Sequence, residues 1–153
     1  MTPANAPAEL GAHLGYWLRY VSNYVSHTFA QKLAGQGVTV AEWALMRVLY
    51  DADAVAPSSL ATTMGLTRGA VTKLADRLAA KGLIARTASP TDGRAQTLAL
   101  TEAGRVLVPD LAALADRNEA EFFDHIPPAA RAALERLLKD IVRRRGLTAM
   151  PID

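Results

Sequence analysis

The chain has 153 residues, half of them apolar, no cysteine and a formal net charge of +2. That length fits one domain, or one domain with an attached dimerisation element, and the apolar fraction is enough for a core. The absence of cysteine excludes disulfides, thiolate metal sites and cysteine redox sensing.

The apolar residues fall in short periodic groups, none near the roughly 20 residues needed to span a bilayer. Residues 1–8 lack a basic segment followed by an apolar one, so a cytoplasmic location is expected and no membrane partner. The charge is unevenly spread. Residues 66–100 sum to +4, with Arg68, Lys73, Arg77, Lys81, Arg86 and Arg94 against Asp76 and Asp92, and are followed by a block of −4 over 101–126. Such a basic block is either a solvated face or the footprint of a polyanion.

In chain order, segment 8–34 predicts one long helix. Leu10, Leu14, Trp17, Leu18, Val21, Val25, Phe29 and Leu33 form one stripe, Tyr16, Tyr20 and Tyr24 a second, and Gly35-Gln-Gly37 ends it. Thr39 and Glu42 have capping-box spacing, with Val38 and Trp43 at the staple positions, so a second helix runs to about Asp51 and the stretch 52–57 breaks it. A short helix follows from about Ser58 to Met64, closed by Gly65. Thr67 caps another from Arg68 to Lys81, stopped by Gly82. Segments 83–88 and 95–100 alternate around a Ser-Pro-Thr-Asp-Gly-Arg turn and predict a hairpin. Thr101 caps a long helix to about Asp124. Pro127-Pro128 opens the last, striped by Leu134, Leu137, Leu138, Ile141 and Val142.

Residues 58–101 carry the functional signal. Ala61, Gly65 and Val71 supply the small residue, the turn glycine and the seating apolar residue that a helix-turn-helix requires. With Val71, Leu74 and Leu78 inward, the second helix exposes Arg68, Gly69, Thr72, Lys73, Asp76 and Arg77, small and cationic enough to enter a major groove. Arg94, at or beside the hairpin tip, would reach the adjacent minor groove. Asp92 is the expected brace of the turn, with Arg86 either its structural partner or a DNA contact.

Thr39-Val-Ala-Glu-Trp43, the run Leu60 to Leu74, and Asp92-Gly-Arg94 followed by Leu98-Ala-Leu-Thr-Glu-Ala-Gly104 together resemble the MarR family of transcription regulators over nearly the whole chain. The resemblance implies a mainly α fold with a small β-hairpin wing: a winged helix-turn-helix lobe (37–101) between helical dimerisation arms (1–36 and 102–153). It implies a homodimer on a pseudo-palindromic double-stranded operator, more often as a repressor. It puts recognition-helix contacts on Thr67, Arg68, Gly69, Thr72 and Lys73, the wing contact on Arg94, and phosphate contacts on Ser58 and Ser59.

Family members often bind a small aromatic or anionic effector between arms and lobe. Here His13, Tyr16, Tyr20, Trp43, Met46 and Arg47 could offer such a site, or serve as interface and core. No metal or other cofactor is expected: His13 and His27 lie about 21 Å apart along a helix. An enzyme is not expected either, since no phosphate-binding glycine loop, nucleophile elbow or ligand cluster occurs. A winged helix used only for protein contacts would instead show an apolar or acidic face where Arg68, Thr72 and Lys73 stand.

Overall fold

The computed structural model describes residues 6–88 and 96–148. After a short 3-10 turn at Leu10–Ala12 come α1 (Leu14–Ala34), α2 (Val40–Tyr50), α3 (Pro57–Met64), α4 (Arg68–Ala80), β1 (Ile84–Ala88), β2 (Gln96–Leu100), α5 (Glu102–Phe123) and α6 (Pro128–Arg145).

The local signals act where the sequence places them. Thr39 and Glu42 form both halves of the capping box on α2. Thr67 and Thr101 accept from the amides of Ala70 and Gly104, capping α4 and α5. The first helix differs from expectation. It starts at Leu14, because His13 is extended (φ −97°, ψ 127°) and the Trp17 indole donates to the Gly11 carbonyl at 2.8 Å, fixing the preceding turn. Pro57 begins α3 instead of merely ending the break before it: its fixed φ suits the first helical position, where its missing N–H is not needed.

The hairpin pairs Ile84 with Leu100 and Arg86 with Leu98 in antiparallel register. Val55, in the segment between α2 and α3, adds a bridge to Leu98, with two backbone hydrogen bonds of 2.8 and 2.9 Å. The wing is thereby anchored to the lobe on its second strand.

One core unites these elements. Leu45, Met46 and Leu49 of α2, Leu60 of α3, and Val71 and Leu78 of α4 pack with Ile84 and Leu98 of the wing. Leu33 from the end of α1 and Val108 and Leu111 of α5 close it. The far ends of the arms have no such cover. α6 has no buried residue; Leu137 is 62% exposed, and Leu14 and Trp17 on α1 are 70% and 52% exposed. An open groove of about 370 Å³ lies between α1 and the α5–α6 junction, walled by Leu14, Trp17, Leu18, Val21, Phe122 and Leu134 among others.

Candidate nucleic-acid interface

The helix-turn-helix is built by α3 and α4. Gly65 takes φ +65°, the left-handed conformation that a side chain would strain, and the Leu66 amide returns to the Ala61 carbonyl at 2.9 Å. Ala61 is buried at this corner. Val71, Leu74, Ala75 and Leu78 turn the inner face of α4 into the core. The opposite face of its first half is solvent-exposed and carries Thr67, Arg68, Gly69, Thr72 and Lys73.

Neither Arg68 nor Lys73 pairs with an acidic side chain among the described residues. The Thr72 hydroxyl donates to the Arg68 carbonyl at 2.9 Å, which leaves its oxygen free to accept. Ser58 and Ser59, exposed on the first turn of α3, join Thr62 and Thr63 in a shallow hydroxyl-lined cleft open to solvent.

The second half of α4 behaves differently. Arg77, grouped by sequence with the groove-facing residues, directs its guanidinium onto Glu42 of α2 at 2.8 Å. Lys81 approaches the other carboxylate oxygen at 2.7 Å and also donates to the Gly37 carbonyl at 2.7 Å. Burial alone would push the Glu42 carboxyl up. The hydrogen bonds from Lys81, Thr39 and Arg77 together outweigh this and hold it below its ordinary value. Glu42 was legible only as half of a capping box, and Lys81 only as a helix end. Their pairing spans 39 residues and has no local signature.

On the other flank of α4, Asp76 accepts a hydrogen bond from Arg86 of β1. Arg86 therefore ties the wing base to the recognition helix through Asp76, an acceptor that sequence spacing did not single out. Thr87 and Thr97 face each other across the hairpin, with hydroxyls 2.8 Å apart. Asp92 and Arg94, the expected brace and tip contact, lie outside the described residues.

The six residues considered for an effector site do not share one cavity wall. His13, Tyr16 and Tyr20 are exposed at the start of α1, where Tyr20 stacks on Tyr24 with ring centres 5.4 Å apart. Met46 is wholly buried in the core. Trp43 is half-buried edge-on to Phe29, and Arg47 is paired with Asp51 at 2.7 Å. Among the described residues no three His, Asp or Glu side chains converge as a metal site would require, and no helix is long and apolar enough to cross a membrane.

Comparison with known proteins agrees with this geometry. A family model described as MarR family matches residues 36–95. A transcriptional regulatory protein named for the hcr operon of Thauera aromatica is 30% identical over 113 residues, which is 74% of this chain and 68% of that protein. Among solved structures, CouR from Rhodococcus jostii RHA1, bound to p-coumaroyl-CoA, superposes with a TM-score of 0.74 at 26% identity, over 88% of this chain and 95% of that one. A mutant MarR from E. coli complexed with operator DNA superposes with a TM-score of 0.76 at 25% identity, over 84% and 93%. With its winged helix-turn-helix lobe and helical arms, the chain belongs to the MarR family of transcriptional regulators and carries that family's DNA-binding fold.

Proposed function

We propose that the protein is a sequence-specific repressor that binds a pseudo-palindromic operator as a homodimer in the cytoplasm. The observation that carries this reading is the exposed first half of α4, where Arg68 and Lys73 stand without acidic partners among the described residues beside Thr67, Gly69 and Thr72. In the reading, this half enters the major groove and its cations and hydroxyls reach base edges and phosphates. Ser58 and Ser59 hold the backbone from α3, and Arg94 reaches the minor groove from the wing tip.

Residues 37–101 form the DNA-binding lobe, and 1–36 and 102–153 form dimerisation arms. The uncovered apolar residues of α1 and α6 favour a second copy as their cover, because apolar burial contributes about 25 cal/mol per Å². Repression would follow from occupancy of a promoter. The action is binding and not catalysis, in keeping with relatives that are transcriptional regulators.

A small aromatic or anionic effector is the second part of the reading. CouR is held with an aromatic acyl thioester, which makes that chemical class the first to test. Such a ligand would act by preferring one spacing of the two lobes.

Selection of bound sequences from random duplex DNA tests the central statement. A two-fold symmetric motif, with half-sites about one helical turn apart, is the expected result. Failure to enrich any motif would refute sequence-specific binding.

A further inference from the structure

Glu42 does more than a capping residue needs to do. At the third position of α2 a capping box asks for one oxygen to accept from the Thr39 amide, which Glu42 Oε1 does at 3.2 Å, and a glutamine suffices for that. Glu42 is instead a fully buried carboxylate whose two oxygens are also taken by Arg77 and Lys81. Both cations belong to the second half of α4 and its C-cap, and both side chains remain partly solvent-exposed. Arg77 follows Lys73 by four residues, about 6 Å along the axis.

The four cations from Arg68 to Lys81 on this helix and its cap are thus divided. The two in the first half have no acidic partner among the described residues. The two in the second half share one buried carboxylate, which holds both side chains and offsets one of their two charges.

That division matters because lysine and arginine contacts to phosphate are sequence-independent. Each one strengthens binding to every duplex alike and adds about 0.9 to the slope of log affinity against log salt. A recognition helix with four unpaired cations would grip any DNA. We propose that Glu42 is a specificity-determining positioning residue: it withholds Arg77 and Lys81 from the DNA backbone, so that discrimination rests on the first half of α4. The inference rests on the DNA-binding reading above and adds to it a reason for a buried acid beneath the recognition helix.

The test measures affinity of the full chain for the selected operator and for a scrambled duplex of equal length, each over a range of salt. Glu42→Gln keeps the side chain's size and its bond to the Thr39 amide but releases the two cations. The scrambled duplex should then bind roughly tenfold more tightly at low salt, with the slope steeper by about one to two units per protomer. A merely structural role would weaken binding without steepening the slope, and that result, or an unchanged slope and operator preference, overturns the proposal.

A second comparison decides the matter even if that variant does not fold. Lys81→Ala should leave the slope of the wild type unaltered, whereas Lys73→Ala should flatten it by about one unit per protomer. Equal flattening by both overturns the proposal. If the wild type itself shows no preference between operator and scrambled duplex, the DNA-binding reading has failed and the clamp falls with it. If the wild type discriminates and only the variants disagree, the clamp alone has failed.

Discussion

Gly104 sits at the joint between the wing and the second arm, and replacing it with alanine should open that joint. A Cβ on Gly104 would lie 2.2 Å from the carbonyl oxygen of Leu83 and 3.1 Å from a methyl of Leu100. Carbon and carbonyl oxygen ordinarily keep about 3.3 Å or more, so the start of α5 must move by roughly 1 Å. The Leu83 oxygen is backbone, just before β1, and it already accepts from the Thr101 amide at 3.0 Å. The Thr101 hydroxyl donates to Gly82 at 2.7 Å in the same joint. Overpacking of this kind costs about 1–3 kcal/mol, and weakening two hydrogen bonds adds about 0.5–1.5 kcal/mol each. The better helix propensity of alanine offsets at most about 1 kcal/mol. The net expectation is a loss of about 2–3 kcal/mol, read in urea unfolding as a midpoint lower by roughly 1 M with little change in slope. Operator affinity should fall too, since the wing base is displaced. Gly15→Ala is the control: it lies in α1 with no atom within 4 Å of the added methyl, so it should be neutral or stabilising by up to about 1 kcal/mol. A Gly104→Ala midpoint equal to or above that of the wild type would refute the close-packing argument.

Arg94→Ala should weaken operator binding by about 1–3 kcal/mol, roughly fivefold to over a hundredfold, at fixed salt; unchanged affinity in a mobility-shift titration would remove the wing contact. Ile141→Glu places a charge among the uncovered apolar residues of α6. It should convert a dimer to monomer in sedimentation at micromolar concentration, because burying an unpaired carboxylate costs several kcal/mol; a persisting dimer would exclude α6 from the interface. Stability should also fall in acid. The carboxyl of folded Glu42 lies below its ordinary value of 4.5, so the unfolded chain takes up the proton first. Its contribution is complete above that value and is lost as pH falls through the folded one. Urea midpoints from pH 7 to pH 3 should therefore drop less steeply for Glu42→Gln than for the wild type; parallel curves would contradict the linkage.

The elements of the lobe were readable because their signals are local. A threonine hydroxyl caps an amide three residues on, Gly65 and Gly82 supply positive φ where helices must stop, and alternating Ile84, Leu98 and Leu100 select the register of a short hairpin. None of these depends on what a distant segment does. The start of α1 is not legible locally because continuous apolar spacing through residues 8–14 resembles a helix, while the break at His13 is held by the Trp17–Gly11 contact across the turn. The effector candidates show the same limit of local spacing. Periodicity places Met46 and Arg47 on one helix but does not say that the lobe core covers the first and leaves the second to Asp51.

The composition and spacing of residues 58–104 by themselves determined a helix-turn-helix with a wing and an exposed, cation-bearing first half of α4. Only the tertiary structure decided which of those cations are paired with an acid. Arg77 and Lys73 are the same kind of residue, four positions apart on one helix, and nothing in their neighbourhood along the chain distinguishes them. The packing of α2 against α4 brings the Glu42 carboxylate, 35 residues before Arg77, within 2.8 Å of it. A buried charge must find its partners wherever the fold delivers them, and that delivery is a property of how helices pack, not of the residues between them.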